Sequence, residues 1–278
     1  IPSYAFPESA AVALARVAAY GRWRRLPRTV PIPLANLDDD QARQVVAAVL
    51  TRGGGWTTPA EAQALMSAVG ITTPASRVVS TREEAVHAAA GVGYPVAIKA
   101  LGSTLLHKTE RQAVHLHIED DAALRIAYDA FHQRFGAEMT STLVQQMVPR
   151  GVEMLVGAIQ DPLFGPLIAC GTGGTLVDLL QDTVFRLHPI DDAEAGEMID
   201  EVRGARLLRG YRGAPPADEP ALRDVLLRVS ALLTVAPEIQ ELDVNPVIVL
   251  ASGACAADVR VRIDRPAPTR SGRRVDYY

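Results

Sequence analysis

Residues 239–261 carry the pattern that most narrows what this chain can fold into. Glu241-Leu242-Asp243-Val244-Asn245-Pro246 places polar side chains at every second position of an apolar run that also holds Ile239, Val247 and Ile248. An extended backbone puts residues two apart on one face, so Asp243 and Asn245 share a face. A turn at Ser252-Gly253 returns the chain, and the strand-like segment 254–261 brings Asp258 back beside them. Polar groups in a buried strand need a reason. Two carboxylates and an amide oxygen form a hard-oxygen set suited to Mg²⁺, completed by water and phosphate oxygens. Asp and Asn as hairpin punctuation is the plainer alternative.

Other strands flank helices in two groups. Segments 77–79, 95–100 and 113–118 read as a first set, with helices over 59–69, 81–90 and 121–135. Segments 143–148, 152–159, 167–170 and 183–187 form a second set, followed by helices near 191–201 and 219–235. Thr58 and Thr81 sit where helix caps belong, and Gly70 stops the first of these helices. This order predicts an α+β (mixed α/β) fold of two lobes with a cleft between them. Upstream, Ala10, Leu14, Val17 and Ala18 give a helical stripe, and Pro27, Pro31 and Pro33 mark a linker.

Composition narrows the partners. Hydrophobic residues make up 48% and charged residues 22% of 278 positions, the balance of a soluble globular protein. A net charge of −4, mixed along the chain, lacks the basic footprint of a nucleic-acid binder. No apolar run approaches the roughly 20 residues that span a bilayer. Cys170 and Cys255 are far apart with no CxxC spacing, which fits a reducing cytoplasm better than a disulfide framework. A start at Ile1-Pro2-Ser3-Tyr4, without an initiator Met or a signal peptide, leads us to expect a fragment of a longer polypeptide.

Single residues point to chemistry less sharply. Lys99 lies in the apolar strand Pro95-Val96-Ala97-Ile98-Lys99-Ala100. An unpaired buried ammonium is costly, so it either meets an anion or snorkels from a strand end. His107-Lys108-Thr109 lies between two strands, where a histidine beside a lysine can accept a phosphoryl group; an ordinary surface loop is the simpler reading. His115 and His117 alternate and should share an exposed strand face. Glu153 follows a strand junction and could meet ribose, base or metal, or only solvent. Gly171-Thr172-Gly173-Gly174 lets backbone approach an anion, yet it lacks the lysine and hydroxyl of a P-loop.

Together these segments resemble the ATP-grasp module of NDP-forming acyl-CoA synthetases, relatives of the succinyl-CoA synthetase β subunit. The resemblance is carried by Gly93–Lys99 (GYPVAIK), 105–109 (LLHKT), 144–153 (VQQMVPRGVE), 161–166 (DPLFGP), Gly173-Gly174, 210–213 (GYRG) and 241–246 (ELDVNP). It covers about residues 56–263 in matching order and spacing.

The resemblance implies a two-lobed ATP-grasp fold preceded by a helical arm. Residues 1–34 would be the remnant of a preceding succinyl-CoA-ligase-like domain, and 35–55 a linker helix and Gly-rich turn. Residues 56–140 would form the small lobe, 141–265 the C-terminal lobe and 266–278 a flexible tail. ATP or ADP and Mg²⁺ would be the cofactors. Lys99 would grip phosphates, Gln145, Gln146, Met147 and Val148 would line the adenine pocket, and Glu153 would meet the nucleotide. Asp243, Asn245 and Asp258 would hold Mg²⁺, and His107 would relay phosphate. The implied reaction is acyl-CoA + ADP + phosphate ⇌ acid + CoA + ATP, with CoA-binding and succinyl-CoA-ligase-like domains of the same or a partner chain. One departure stands out: where the family has an acidic residue and a Gly-Gly-Val loop, this chain has Glu110-Arg111-Gln112-Ala113-Val114. Losing both glycines adds side chains where backbone should approach phosphate. It favours an alternative, a regulatory module fused to a GNAT-type acetyltransferase.

Overall fold

The computed structural model describes residues 2–25, 34–102, 113–174 and 181–265. The chain forms two compact units, Ile1–Ile32 and Pro33–Tyr278. In the first, helix α1 (Pro7–Trp23) starts at Pro7 and leaves Val12, Leu14 and Val17 exposed.

The second unit contains helices α2 (Asp39–Thr51), α3 (Pro59–Ala68), α4 (Arg82–Val92), α5 (Asp121–Phe135), α6 (Asp192–Glu201) and α7 (Glu219–Val235). Each begins at an Asp or Thr whose side chain accepts a hydrogen bond from the backbone N–H three residues on: Asp38, Thr58, Thr81, Asp120, Asp191 and Asp218. At Thr58, Thr81 and Asp191 a glutamate three residues later closes a capping box. Each such cap contributes about 1 kcal/mol.

Strands β1 (Gly55–Trp56), β2 (Ser76–Val79), β3 (Val96–Leu101), β4 (Val114–Ile118), β5 (Ser141–Gln146) and β6 (Val152–Asp161) precede β7 (Gly165–Thr172) and β8 (Thr183–Leu187). Strands β9 (Ile239–Val249), β10 (Ala254–Ala256) and β11 (Val259–Ile263) complete the set. Among the described residues they form two antiparallel sheets. The larger runs β1-β11-β9-β6-β7-β8, with β10 on β9; the smaller runs β2-β5-β3-β4.

One face of the large sheet is the core. Met154, Val156, Leu242, Val244 and Val261 pack with Leu65 and Met66 of α3, Met198 of α6, and Leu222, Leu226 and Val229 of α7. The three- and four-residue spacing on α7 puts those side chains on one stripe. The small sheet sets Val96, Ile98 and Val144 against Ala85 and Ala89 of α4 and Leu124 and Phe131 of α5. The alternation therefore leaves the opposite faces of both sheets for the cleft.

Three sequence expectations change. Strand β5, expected at the start of the C-terminal lobe, is bonded on both sides within the small sheet, while β1 and α3, expected in the small lobe, join the large one. The crossing between sheets therefore lies at 147–151, not at 140/141. The phase of β4 slips: its pairing with β3 shifts between Val96 and Ile98, and His117 adopts φ 56°. His115 and His117 thus do not share a regular strand face, and His115 instead lies 4.8 Å from the Phe131 ring. Finally, 254–261 is two strands, interrupted at Ala257-Asp258.

Candidate functional site

The interruption between β10 and β11 is where the lobes meet. Lys99 sits in the middle of β3, its neighbours Ile98 and Ala100 turned into the small core, so its own side chain leaves on the opposite face. It is only 7% exposed. Its Nζ donates to Asp258 Oδ1 at 2.8 Å and to the Ala257 carbonyl at 3.1 Å. Lys99 is therefore a paired, buried cation rather than one that reaches water. Gln145 of β5 points the same way and donates from Nε2 to the same Ala257 carbonyl at 3.1 Å.

On the large sheet, Glu241, Asp243 and Asn245 lie opposite the buried Leu242 and Val244, as the alternation required. Register sets Asp243 against Arg260 and Glu241 against Arg262; Asn245 N–H donates to the Asp258 carbonyl at 3.1 Å. Arg262 Nε lies 3.7 Å from Glu241, and Arg260 Nε 3.8 Å from Asp258. Acidic and basic side chains thus face each other along two neighbouring strands. Burial pushes the Asp243 carboxyl above its ordinary range; Arg260 opposes that shift, while Asp258 and Glu241 add to it. A cation beside it would relieve both burial and repulsion.

Glu153 is exposed at the start of β6. A Cβ built on Gly174 would lie 1.8 Å from Glu153 Oε2, so the carboxylate rests directly over that glycine. Gly174 N–H donates to Asn245 Oδ1 at 2.9 Å, and Gly173 N–H to the Glu153 carbonyl at 2.9 Å. These two amides are therefore spent on Asn245 and Glu153 and tie the glycine turn to β6 and β9. Gln146 closes β5 with its side chain exposed, and Met147 and Val148, half-buried, begin the passage between the sheets.

The fold thus gathers Lys99 and Gln145 on the Ala257 carbonyl, with Asp258 paired to Lys99, and Glu153 and Asn245 around Gly174. Asp243 joins them through Arg260. His107 lies outside the described residues. Sequence reasoning missed the Ala257 carbonyl, Arg260 and the positioning role of Gly174. Of these only Arg260 left a signal, its two-residue spacing from Asp258.

Asp243, Asn245 and Asp258 fit a hard divalent cation: all offer oxygen, two are carboxylates, and one is desolvated. Among the described residues no group of three or more His, Cys, Asp and Glu is placed to hold a metal ion, so any cation here would also need the Asn245 amide oxygen. A cavity of about 730 Å³ adjoins Asp258, lined by Trp56, Val78, Leu101, Leu143 and Arg260. No helix among the described residues is long and apolar enough to cross a membrane.

The chain is similar to known proteins of one family. The family model for the ATP-grasp domain matches residues 48–263. The ADP-forming acetate–CoA ligase I of Archaeoglobus fulgidus is 34% identical over 265 residues, 94% of this chain but 38% of that protein. The beta subunit of the ADP-forming acetate–CoA ligase I of Pyrococcus furiosus is 33% identical over 226 residues, 80% of this chain and 97% of that subunit. A solved structure of the dinucleotide-forming acetyl-coenzyme A synthetase 1 of Ca. Korarchaeum cryptofilum, in complex with coenzyme A, Ca-AMPCP and HgCl⁺, superposes with a TM-score of 0.76 at 32% identity. It covers 80% of this chain and 99% of the matched one. By the match over 48–263 and by this identity and coverage, the chain belongs to the ATP-grasp family, in the group that includes the beta subunits of ADP-forming acetate–CoA ligases.

Proposed function

We propose that this chain binds ADP or ATP with Mg²⁺ in the cleft and serves as the phosphoryl-transfer module of an ADP-forming acyl-CoA synthetase. The observation that carries the reading is the buried Lys99 set against Asp258 across the lobes. A cation held that close to a carboxylate from the facing sheet supports a site there for phosphate oxygens and a divalent ion.

In this reading Lys99 grips the nucleotide phosphates, Gln145, Gln146, Met147 and Val148 line the adenine pocket, and Glu153 meets the nucleotide. Asp243, Asn245 and Asp258 hold Mg²⁺, which when bound neutralises phosphate charge. Holding the cation would require Asp258 to give up its bond to Lys99, whose ammonium would then be available to phosphate oxygens. The net reaction is acyl-CoA + ADP + phosphate to acid + CoA + ATP. His107 takes a phosphoryl group from a histidine on the CoA-handling part, the old P–N bond breaking as the new one forms. A terminal oxygen of ADP then attacks that phosphorus in line, and the imidazole leaves. Catalysis is positioning and charge neutralisation. CoA-binding and succinyl-CoA-ligase-like domains complete the enzyme from the same or a partner chain.

Calorimetric titration with ADP and ATP, with and without Mg²⁺, tests the core of the reading. Magnesium-dependent binding that Lys99→Ala abolishes supports it. A folded chain that binds neither nucleotide moves the balance to a regulatory module fused to an acetyltransferase, which the Gln112-Ala113 pair in place of two glycines favours.

A further inference from the structure

Asp182 lies just before β8 and belongs to none of the residues assigned above. It is 8% exposed, and its carboxylate accepts four hydrogen bonds. Oδ2 takes the Thr172 hydroxyl at 2.6 Å and Gly204 N–H at 2.7 Å. Oδ1 takes Arg203 N–H at 3.0 Å and Arg203 Nε at 3.3 Å. Its own carbonyl accepts Thr172 N–H at 3.0 Å. A buried carboxylate needs this degree of satisfaction.

These bonds join three segments: the end of β7, the start of β8, and the 3₁₀ turn Arg203–Arg209 that follows α6. The fit is tight. A Cβ on Gly204 would come within 2.1 Å of Thr172 Oγ1, and one on Gly171 within 2.8 Å of the Asp182 carbonyl. Thr172 is followed directly by Gly173 and Gly174, whose amides hold the Glu153 carbonyl and Asn245 Oδ1.

We propose that Asp182 is a positioning residue for the nucleotide site, acting through Thr172 and the glycine turn to fix where Glu153 and Asn245 stand. This rests on the nucleotide-binding reading above. The Thr172 hydroxyl is the one link that can be removed with little change of shape, because valine matches threonine in outline.

The test uses the full-length or partner-complemented protein and measures MgADP affinity, KM and kcat together with thermal melting. Partners behind a metal ligand typically carry about 10- to 100-fold in affinity or activity. Thr172→Val and Asp182→Asn are therefore expected to weaken MgADP binding by at least about tenfold, chiefly through KM, in protein that still melts cooperatively. Thr172→Ser, which keeps the hydroxyl, is expected to restore parental affinity. Thr172→Val that stays folded and binds MgADP like the parent overturns the role, leaving Asp182 to the fold alone. A parent that binds no nucleotide overturns the underlying reading and this role with it, so the two failures are distinguishable.

Discussion

Lys99 Nζ and Asp258 Oδ1 stand 2.8 Å apart although 159 residues separate them, one on each sheet. Removing the lysine takes the 2.8 Å ion pair from a carboxylate that is 23% exposed. Lys99→Ala is expected to cost about 1–3 kcal/mol of stability by denaturant unfolding. It should also abolish calorimetric binding of MgADP. A folded variant that binds normally would show that the pair only closes the lobes.

The oxygen set predicts a specific split. Asn245→Ala and Asp258→Ala should remove the gain in nucleotide affinity that Mg²⁺ confers, while leaving more of the metal-free binding than Lys99→Ala does. Titrations at several Mg²⁺ concentrations check this. Equal Mg²⁺ dependence in parent and variants would place the cation elsewhere.

The Asp243 carboxyl, raised by burial, is held down by Arg260. Arg260→Ala should therefore raise it further, so that protons compete with Mg²⁺ to a higher pH. Carboxyl NMR titration of Asp243 reads the shift directly. A midpoint that stays put or falls would remove Arg260 from the site's electrostatics.

Asp182 behaves in the opposite sense. Burial opposes its ionisation, but bonds from Thr172, Gly204 and Arg203 outweigh that and hold the carboxyl at about 2 against an ordinary 3.8. With the folded value depressed, its stabilisation is present above the unfolded value and fades as pH falls through about 2. The gap is about 2 kcal/mol near neutral pH. The stability difference between parent and Asp182→Asn should thus shrink between pH 7 and pH 3 in urea melts. A constant difference would mean that shape, not charge, is lost.

Gly174 has φ +71°, and an added methyl would collide with Glu153 Oε2. Gly174→Ala should cost about 1–2 kcal/mol in backbone strain. By turning Glu153 aside, it should also weaken nucleotide binding at constant Mg²⁺. Unchanged affinity would dismiss Glu153 from the nucleotide contact.

Much of this was legible in the chain and some was not, for physical reasons. The two-residue period of 241–245 placed Asp243 and Asn245 on the polar face, and the hairpin delivered Asp258 beside them. The partners of β5 could not be read, because an apolar strand fits either sheet equally well. His115 and His117 misled because one bulge shifts the phase of a five-residue strand. Asp182 gave no signal, since its partners lie 10 to 22 positions away and a lone aspartate before a strand reads as a turn. Backbone acceptors are silent in any sequence, as every residue carries one.

That last property has its own consequence at Ala257, whose carbonyl receives both Lys99 and Gln145. The receiving atom is main chain, so no single substitution can delete it. Residue 257 should therefore accept other small side chains, while replacement of the donors at 99 and 145 should break the bonds. A saturation library across these three codons should show the asymmetry as tolerance at the first and intolerance at the other two. The joint between the lobes is thereby protected from mutation on one side.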